Sequence, residues 1–148
     1  MKHIAPFVHC IHSVDSFKLL VEINKQAAKN ERVIDVLLQM HIASEDTKFG
    51  MDNHEILTLL EYYEAQKETL QNIRIRGLMG MASFTEDKQQ LRSEFRQLKN
   101  LFENLKRSNF LFQDHFDICS MGMSSDYKIA IEEGSTMVRI GSLLLGSR

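Results

Sequence analysis

Short apolar runs alternate with amphipathic segments along this 148-residue chain, and that alternation restricts the folds it can adopt. The clearest run lies within residues 32–42 and contains Val33, Ile34, Val36, Leu37 and Leu38. Runs of this kind are typical of strands that are covered on both faces, and such strands belong mostly to parallel sheets. We therefore expect a sheet whose strands are connected by helices.

Apolar periodicity predicts five strands and four helices in strict alternation. The strands are predicted at residues 7–11, 32–42, 73–81, 115–120 and 137–145. The helices are predicted at residues 17–29, from 56 to 70, from 85 to 108 and at 126–133, and the long third helix carries an apolar stripe of Leu91, Phe95, Leu98, Phe102 and Leu105. That stripe has the spacing of a helix that faces a core.

Several helix ends have recognisable signals. Asp52 and Glu55 form a plausible capping pair for the second helix, and Thr85 is the predicted cap of the third. Residues 13–16 are predicted as a turn after the first strand, in which capping by Asp15 or Ser16 is favoured over a role in binding.

Strict alternation with short connections predicts right-handed crossovers and parallel strands. A complete barrel of eight such units takes about 250 residues, whereas this α/β chain holds only five predicted strands. Two folds fit: an open doubly wound sheet, or the C-terminal part of a TIM-like (β/α) barrel. Pro6 is the only proline, and no Ser/Gly-rich linker divides the chain, so residues 1–148 are expected to form one domain.

Charge and cysteine content argue against several classes of protein. The net charge of −2 offers no footprint for nucleic acid or an anionic membrane, and no run reaches the roughly 18 apolar residues of a membrane span or resembles a signal peptide. Cys10 and Cys119 form no C-x-x-C motif, so we expect a reducing, cytoplasmic location.

His9, Cys10 and His12 match no zinc spacing, and no metal site is expected.

The strongest functional signal lies near the C-terminus. Residues 120–124 read Ser-Met-Gly-Met-Ser and residues 137–142 read Met-Val-Arg-Ile-Gly-Ser. The ends of the last strands of a parallel barrel commonly bind a ligand phosphate through backbone N–H groups and hydroxyls. Ser124, Gly141 and Ser142 are suited to that role, and Arg139 places a permanent cation beside them.

Purely structural readings of these residues stay open at this stage. Ser124 or Ser125 would serve equally well as the N-cap of the following helix. Arg139 would satisfy its charge in an ion pair with Asp117 or Glu132, because an unpaired guanidinium is costly to bury. The methionines at the predicted strand ends, Met79, Met81, Met121 and Met123, are more typical of adaptable packing than of a cofactor site.

Taken together, these segments resemble the pyridoxal 5′-phosphate (PLP) homeostasis protein family, the YggS-like single-domain relatives of alanine racemase. The resemblance rests on residues 11–16, 37–42, 48–50, 76–79, 120–126 and 134–141, which occur in the expected order. It implies a TIM-like barrel, the type III fold of PLP proteins, with PLP as the cofactor. By the matching motifs, Ser124 and the backbone of Gly141 and Ser142 would hold the cofactor phosphate.

The resemblance also implies roles for the neighbouring residues. Arg139 would approach the pyridine nitrogen, where an arginine leaves the nitrogen unprotonated and weakens the electron sink of the ring. Met81 stands where racemases have a histidine, so it could contact the cofactor ring but could not exchange protons. Met123 is assigned to the same cofactor site.

One departure from the family is large. The family's Schiff-base lysine lies on an early strand that has no counterpart here, and Lys48, a loop lysine, matches a different family position. We therefore expect an N-terminally truncated protein that lacks roughly three β/α units. The resemblance implies a non-catalytic protein that binds, buffers and delivers PLP, with PLP-dependent apo-enzymes as recipients. A type III racemase-like enzyme and an inert truncated scaffold are the alternatives, and the oligomeric state is left open.

Overall fold

The computed structural model describes residues 10–44, 50–113 and 115–139. Within them, five strands alternate with four α-helices, and a short 3₁₀ turn (Lys67–Thr69) follows the second helix. The strands are β1 (Cys10–Val14), β2 (Ile34–His41), β3 (Ile73–Met81), β4 (Ile118–Met123) and β5 (Met137–Arg139). The helices are α1 (Phe17–Lys29), α2 (Asn53–Ala65), α3 (Lys88–Arg107) and α4 (Tyr127–Glu132).

The strands form one sheet in the order β1-β2-β3-β4-β5, and each neighbouring pair is parallel. A doubly wound sheet reverses its strand order at a switch point, and the described strands show no such reversal. Sequential order with a helix in every connection is the arrangement of a (β/α) barrel. The prediction of a partial TIM-like barrel is therefore confirmed.

The first two helices begin at capping residues that the sequence predicts. The hydroxyl of Ser16 caps α1, because its Oγ accepts a hydrogen bond from the N–H of Leu19 at 3.1 Å. At α2, the N–H of Glu55 donates to Oδ1 of Asp52 at 2.8 Å, and the N–H of Asp52 donates back to Oε1 of Glu55 at 3.1 Å. This reciprocal pair is the capping box that the spacing predicts.

The start of α3 differs from the prediction. Asp87 is the capping residue, and its Oδ1 accepts from the N–H groups of Gln89 and Gln90 at 3.1 and 3.2 Å. Thr85 contacts the capping residue instead of the helix, since its Oγ1 accepts a hydrogen bond from the N–H of Asp87 at 3.2 Å. A carboxylate next to the first helical turn also interacts favourably with the helix dipole, which explains why Asp87 takes this position.

Two strands end later along the chain than predicted. The strand β1 continues through Val14, where a turn was predicted, because Val14 is buried in the core. The strand β4 ends at Met123 instead of residue 120, since Met121 is fully buried. Leu70 lies after the 3₁₀ turn instead of on α2, although it is buried as expected. Residues 7–9 and 140–145 of the predicted outer strands lie outside the described residues.

The hydrophobic core lies between the sheet and the helices. The predicted stripe of α3 is confirmed, because its five residues are each at most 4% exposed; they are Leu91, Phe95, Leu98, Phe102 and Leu105. They belong to one core cluster with strand residues that include Val36, Leu38, Ile75, Leu78, Cys119 and Met121. No helix among the described residues combines the length and the hydropathy that crossing a membrane requires.

A charged network ties the N-terminal ends of three strands together. The guanidinium of Arg76 on β3 contacts Asp35 of β2 at 3.0 Å, Asp117 before β4 at 2.9 Å, and the carbonyl oxygen of His115 at 2.8 Å. Arg74 adds a second contact to Asp35 at 2.8 Å. Burial raises the pKa of Asp35, but the hydrogen bonds and charges of the two arginines outweigh it and lower the pKa overall. The N-terminal end of the sheet is therefore fixed by paired charges.

Gly77 of β3 lies directly against the backbone of Ile118, its register partner on β4. A Cβ at this position would overlap the carbonyl oxygen of Ile118 and lie 2.6 Å from its carbonyl carbon. At Gly80, three residues further along, a Cβ would instead meet the side-chain tips of Ile42 at 2.9 Å and Leu98 at 3.1 Å. Backbone cannot yield as side chains can, so glycine is required at position 77.

We expect Gly77→Ala to lower the free energy of unfolding by about 3 kcal/mol and Gly80→Ala by about 1 kcal/mol, the span that overpacked sites cover. The larger loss follows from the clash with the β4 backbone. Urea unfolding followed by circular dichroism measures both values. Equal losses in the two variants would show that the backbone approach at Gly77 is not the constraint.

Candidate functional site at the C-terminal edge of the sheet

The guanidinium of Arg139 spans three neighbouring strands at the C-terminal edge of the sheet. Arg139 is the last residue of β5 and pairs in register with Met123 of β4. Its Nη1 donates to Oγ of Ser120 on β4 at 2.6 Å. Its Nη2 donates to the carbonyl oxygen of Gly80 on β3 at 3.1 Å. One side chain thus joins β3, β4 and β5.

Both of these acceptors are neutral. The structural alternative, an ion pair of Arg139 with Asp117 or Glu132, is wrong, because those carboxylates pair with Arg76 and Arg92 instead. No other carboxylate among the described residues forms an ion pair with Arg139. A guanidinium has five N–H donors, and described residues accept from two of them. The other three donors have no acceptor among the described residues.

The surroundings of Arg139 affect its own titration and that of its neighbours. Burial lowers the pKa of Arg139, while the negative charge of Asp126 acts in the opposite direction. Burial and the positive charge of Arg139 also lower the pKa of His12 on β1. The lowered pKa favours the neutral form of the His12 imidazole.

A tight turn places Ser124 directly after β4. Gly122 has a φ of +104°, and a Cβ there would lie 2.7 Å from Cβ of Ala130 in α4, so the turn needs glycine. The N–H of Met123 donates to Oδ1 of Asp126 at 2.7 Å, and the N–H of Asp126 donates to the carbonyl oxygen of Met123 at 3.1 Å. These contacts close the turn and leave Ser124 exposed at its tip.

Neither Ser124 nor Ser125 caps α4, so that structural alternative is wrong. Asp126 is the N-cap residue, and its carboxylate binds the turn instead of the helix. No described residue forms a hydrogen bond with the hydroxyl of Ser124, and this residue lines a cleft of about 500 Å³ together with Lys88 and Lys128. Arg139 is not among the residues that line this cleft, so the structure does not place the hydroxyl and the guanidinium in one enclosed pocket.

The four methionines at the strand ends divide into two kinds. Met79 and Met121 are buried and pack, as the sequence predicts for methionines in general. Met81 and Met123 are 37% and 43% exposed at the C-terminal edge. Met81 follows the carbonyl that Arg139 binds, and Met123 is the register partner of Arg139. The structure thus brings two exposed apolar side chains to the strand ends that the guanidinium joins.

Part of the predicted phosphate site lies outside the described residues. The described residues do not include Gly141 and Ser142, whose backbone is expected to bind phosphate together with Ser124. They do not include Lys48 either. The predicted contribution of these residues stays a prediction. The described part of the site consists of Arg139 and the segments at the ends of β3 and β4.

A buried carboxylate that the sequence analysis did not identify organises the loops at this edge. Glu94 on α3 is 3% exposed. Its Oε2 accepts from the N–H and Oγ of Ser44 after β2, at 3.0 and 2.9 Å, and from Nε2 of Gln90 at 3.0 Å. It also accepts from both groups of Ser83 after β3, from the N–H at 2.6 Å and from Oγ at 2.8 Å. Glu94 therefore attaches the ends of β2 and β3 to α3.

These hydrogen bonds keep Glu94 ionised. Burial raises the pKa of Glu94, but the bonds from Ser83, Gln90 and Ser44 outweigh burial and lower it overall. A signal for this role exists in the sequence, because Glu94 interrupts the apolar stripe of α3 immediately before Phe95. A carboxylate at a core position needs buried hydrogen-bond donors.

Of the residues named for metal binding in the sequence, His9 lies outside the described residues. No group of three or more His, Cys, Asp or Glu side chains in the described parts of the chain is placed to hold a metal ion. Cys10 is partly exposed on β1, and burial raises the pKa of its thiol. Cys119 is buried, which raises the pKa of its thiol to about 12 and keeps it protonated.

The sequence of this chain matches a known family of proteins. The family of the alanine racemase N-terminal domain matches residues 3–148. The chain belongs to this family. The pyridoxal phosphate homeostasis protein of Aquifex aeolicus is 39% identical over 148 residues, which are 100% of this chain and 62% of that protein. The resemblance to PLP homeostasis proteins is therefore confirmed, and the chain spans less than two thirds of this relative.

Solved structures agree with this assignment. PipY of Synechococcus elongatus without PLP superposes with a TM-score of 0.81 at 29% identity, over 94% of this chain and 62% of PipY. The structure of PipY with PLP bound gives a TM-score of 0.74 at 28% identity, over 95% of this chain and 64% of PipY. This chain therefore shares its fold with a protein that binds PLP.

We expect Glu94→Gln to lower the free energy of unfolding at pH 7 by about 1–3 kcal/mol, because buried donors lose a charged acceptor. The folded-state pKa of Glu94 is lowered, so its contribution is fully present above its ordinary value of 4.5 and is lost as pH falls through the folded value. Urea unfolding at pH 7 and at pH 3 should show a smaller pH dependence in Glu94→Gln than in the wild type.

Glu103→Gln is the matched control, because Glu103 lies on the same helix and its side chain is 42% exposed, beside Lys99. Its substitution should change stability by less than about 0.5 kcal/mol. The loop-anchoring role of Glu94 fails if both variants lose the same stability and keep the same pH dependence.

Proposed function

We propose that this chain binds PLP at the C-terminal edge of its sheet and serves PLP homeostasis by holding and releasing the cofactor. The observation that carries the proposal is the Arg139 guanidinium, which is partly buried, contacts only neutral acceptors among the described residues, and has three donors left over. Such a cation is complemented by a ligand with anionic oxygens or a lone pair. The names of the relatives, and the PLP bound to PipY, support PLP as that ligand.

The described residues fit PLP in their chemistry. Arg139 supplies charged donors, the Ser124 hydroxyl is open to a phosphate oxygen, and Met81 and Met123 offer exposed apolar surface to an aromatic ring. When bound, PLP supplies an aldehyde and an electron-withdrawing pyridine ring. A guanidinium at the ring nitrogen would keep that nitrogen unprotonated and restrain the chemistry of the ring.

We propose storage instead of catalysis because the segment after β3, where racemases have a histidine, offers no free proton-transferring group. An enzyme that acts on amino acids needs an acid or base beside the cofactor. Met81 cannot exchange protons, and the Ser83 hydroxyl donates to Glu94 at 2.8 Å within the loop contacts. These contacts favour binding, buffering and delivery over racemase-like activity.

Delivery implies recipients, which we propose are PLP-dependent apo-enzymes. We also propose a cytoplasmic location. It is supported by Cys10 and Cys119, which are both unpaired thiols and so suit a reducing compartment.

Equilibrium dialysis against PLP tests the binding step. We expect saturable binding by the wild type and about 10- to 100-fold weaker binding by Arg139→Ala, the range for a lost hydrogen bond to a charged group. Arg107→Ala is the control, because Arg107 is exposed at the end of α3 and contacts Asn104. It should bind PLP as the wild type does.

Borohydride reduction followed by mass spectrometry shows separately whether a lysine of the chain becomes covalently linked to PLP. Wild-type protein that does not bind PLP saturably would contradict the proposed function and favour an inert scaffold. Unchanged binding by Arg139→Ala would remove Arg139 from the site. Solvent deuterium entering the α-carbon of alanine would favour the racemase-like alternative over storage.

A further inference from the structure

Ser120 is a fully buried hydroxyl whose hydrogen-bond partner is a charged side chain. It is 0% exposed, and its Oγ accepts from Nη1 of Arg139 at 2.6 Å. Ser120 pairs in register with Met137 of β5, whereas Arg139 pairs with Met123. The Arg139 side chain therefore extends back along the sheet to reach Ser120.

Two acceptors on two different strands define the orientation of the guanidinium. Ser120 on β4 binds Nη1, and the carbonyl oxygen of Gly80 on β3 binds Nη2. Arginine side chains have a large rotamer entropy, and a planar group that is held at two nitrogens has lost most of it. A ligand that binds an already ordered group does not have to order it, and so binds more tightly.

The chemistry of Ser120 suits orientation without neutralisation. On the same sheet, Arg76 contacts the carboxylates of Asp35 and Asp117, which cancel its charge. A carboxylate at position 120 would do the same to Arg139 and compete with an anionic ligand. A hydroxyl fixes the geometry and leaves the charge in place.

We infer that Ser120 is a positioning residue, which holds the Arg139 guanidinium in the orientation that binds the cofactor. The inference rests on the PLP binding proposed above and assigns a specific residue to it. Ser120 acts through Arg139, so its contribution to PLP affinity should disappear when Arg139 is absent.

A double-mutant cycle tests this dependence. PLP affinity is measured by equilibrium dialysis for the wild type, Ser120→Ala, Arg139→Ala and the double variant. We expect Ser120→Ala to weaken binding about 3- to 10-fold, the loss for a modest hydrogen bond. In the Arg139→Ala background the same substitution should change affinity by less than twofold, because interacting residues are not additive.

Ser135→Ala is the matched control. The Oγ of Ser135 lies 2.7 and 2.8 Å from the carbonyl oxygens of Met121 and Met137, so its hydroxyl lies between the same two strands, and it forms no hydrogen bond with Arg139. This variant should lose stability in urea unfolding while keeping wild-type PLP affinity. Loss of affinity in Ser135→Ala equal to that in Ser120→Ala would attribute both effects to general loosening of the sheet and overturn the inference.

A measurement without PLP separates this inference from the proposed function. Nitrogen-15 NMR of the unliganded protein should show slowed rotation of the Arg139 guanidinium in the wild type and free rotation in Ser120→Ala. Additive losses in the cycle, or unchanged rotation in Ser120→Ala, would overturn the positioning role. If the wild type fails to bind PLP, the proposed function fails, and the NMR result alone supports or overturns the orientation of Arg139 by Ser120.

Discussion

The Glu94 carboxylate is the contact on which the C-terminal edge of the sheet depends. In parallel α/β folds the functional groups lie on the segments that follow the strands, and these segments need a fixed attachment. Glu94 supplies one, because it accepts hydrogen bonds from the segments after β2 and β3 while its own backbone lies in α3. At the opposite end, Arg76 joins β2, β3 and the segment before β4. The sheet is thus fixed at both ends by charged groups, with the apolar core between them.

Arg76 and Arg139 lie on the same sheet in different surroundings, which support a structural role for Arg76 and the ligand-binding role that we propose for Arg139. Arg76 contacts two carboxylates, so its charge is satisfied within the fold. Arg139 contacts a hydroxyl and a carbonyl oxygen, and dipoles stabilise a charge less than a counter-ion does. The chain loses stability by burying this charge with neutral partners. A loss of that kind is expected where a ligand completes the charge pairing.

The sequence predicts those features of the fold that depend on local spacing. The bounds of α1 and β3, the Asp52–Glu55 capping box and the buried stripe of α3 were all predicted correctly, because each arises within one helix or strand. The partners of Glu94 and Arg139 could not be predicted from spacing, because Glu94 meets a residue 50 positions away and Arg139 one 59 positions away. Family resemblance suggested a role for Arg139 but not the side chain that holds it. Long-range contacts require the fold itself.

The openness of the edge supports exchange of a ligand more than chemistry on it. Enzymes that transform reactive intermediates enclose them and exclude water. Here Met81 and Met123 are 37% and 43% exposed, so solvent reaches the apolar surface beside Arg139. A protein that buffers a cofactor must release it as well as bind it, and release is faster from an open site than from an enclosed one. For the storage that we propose, the two contacts of Arg139 would favour specific binding, and the exposed methionines would favour release.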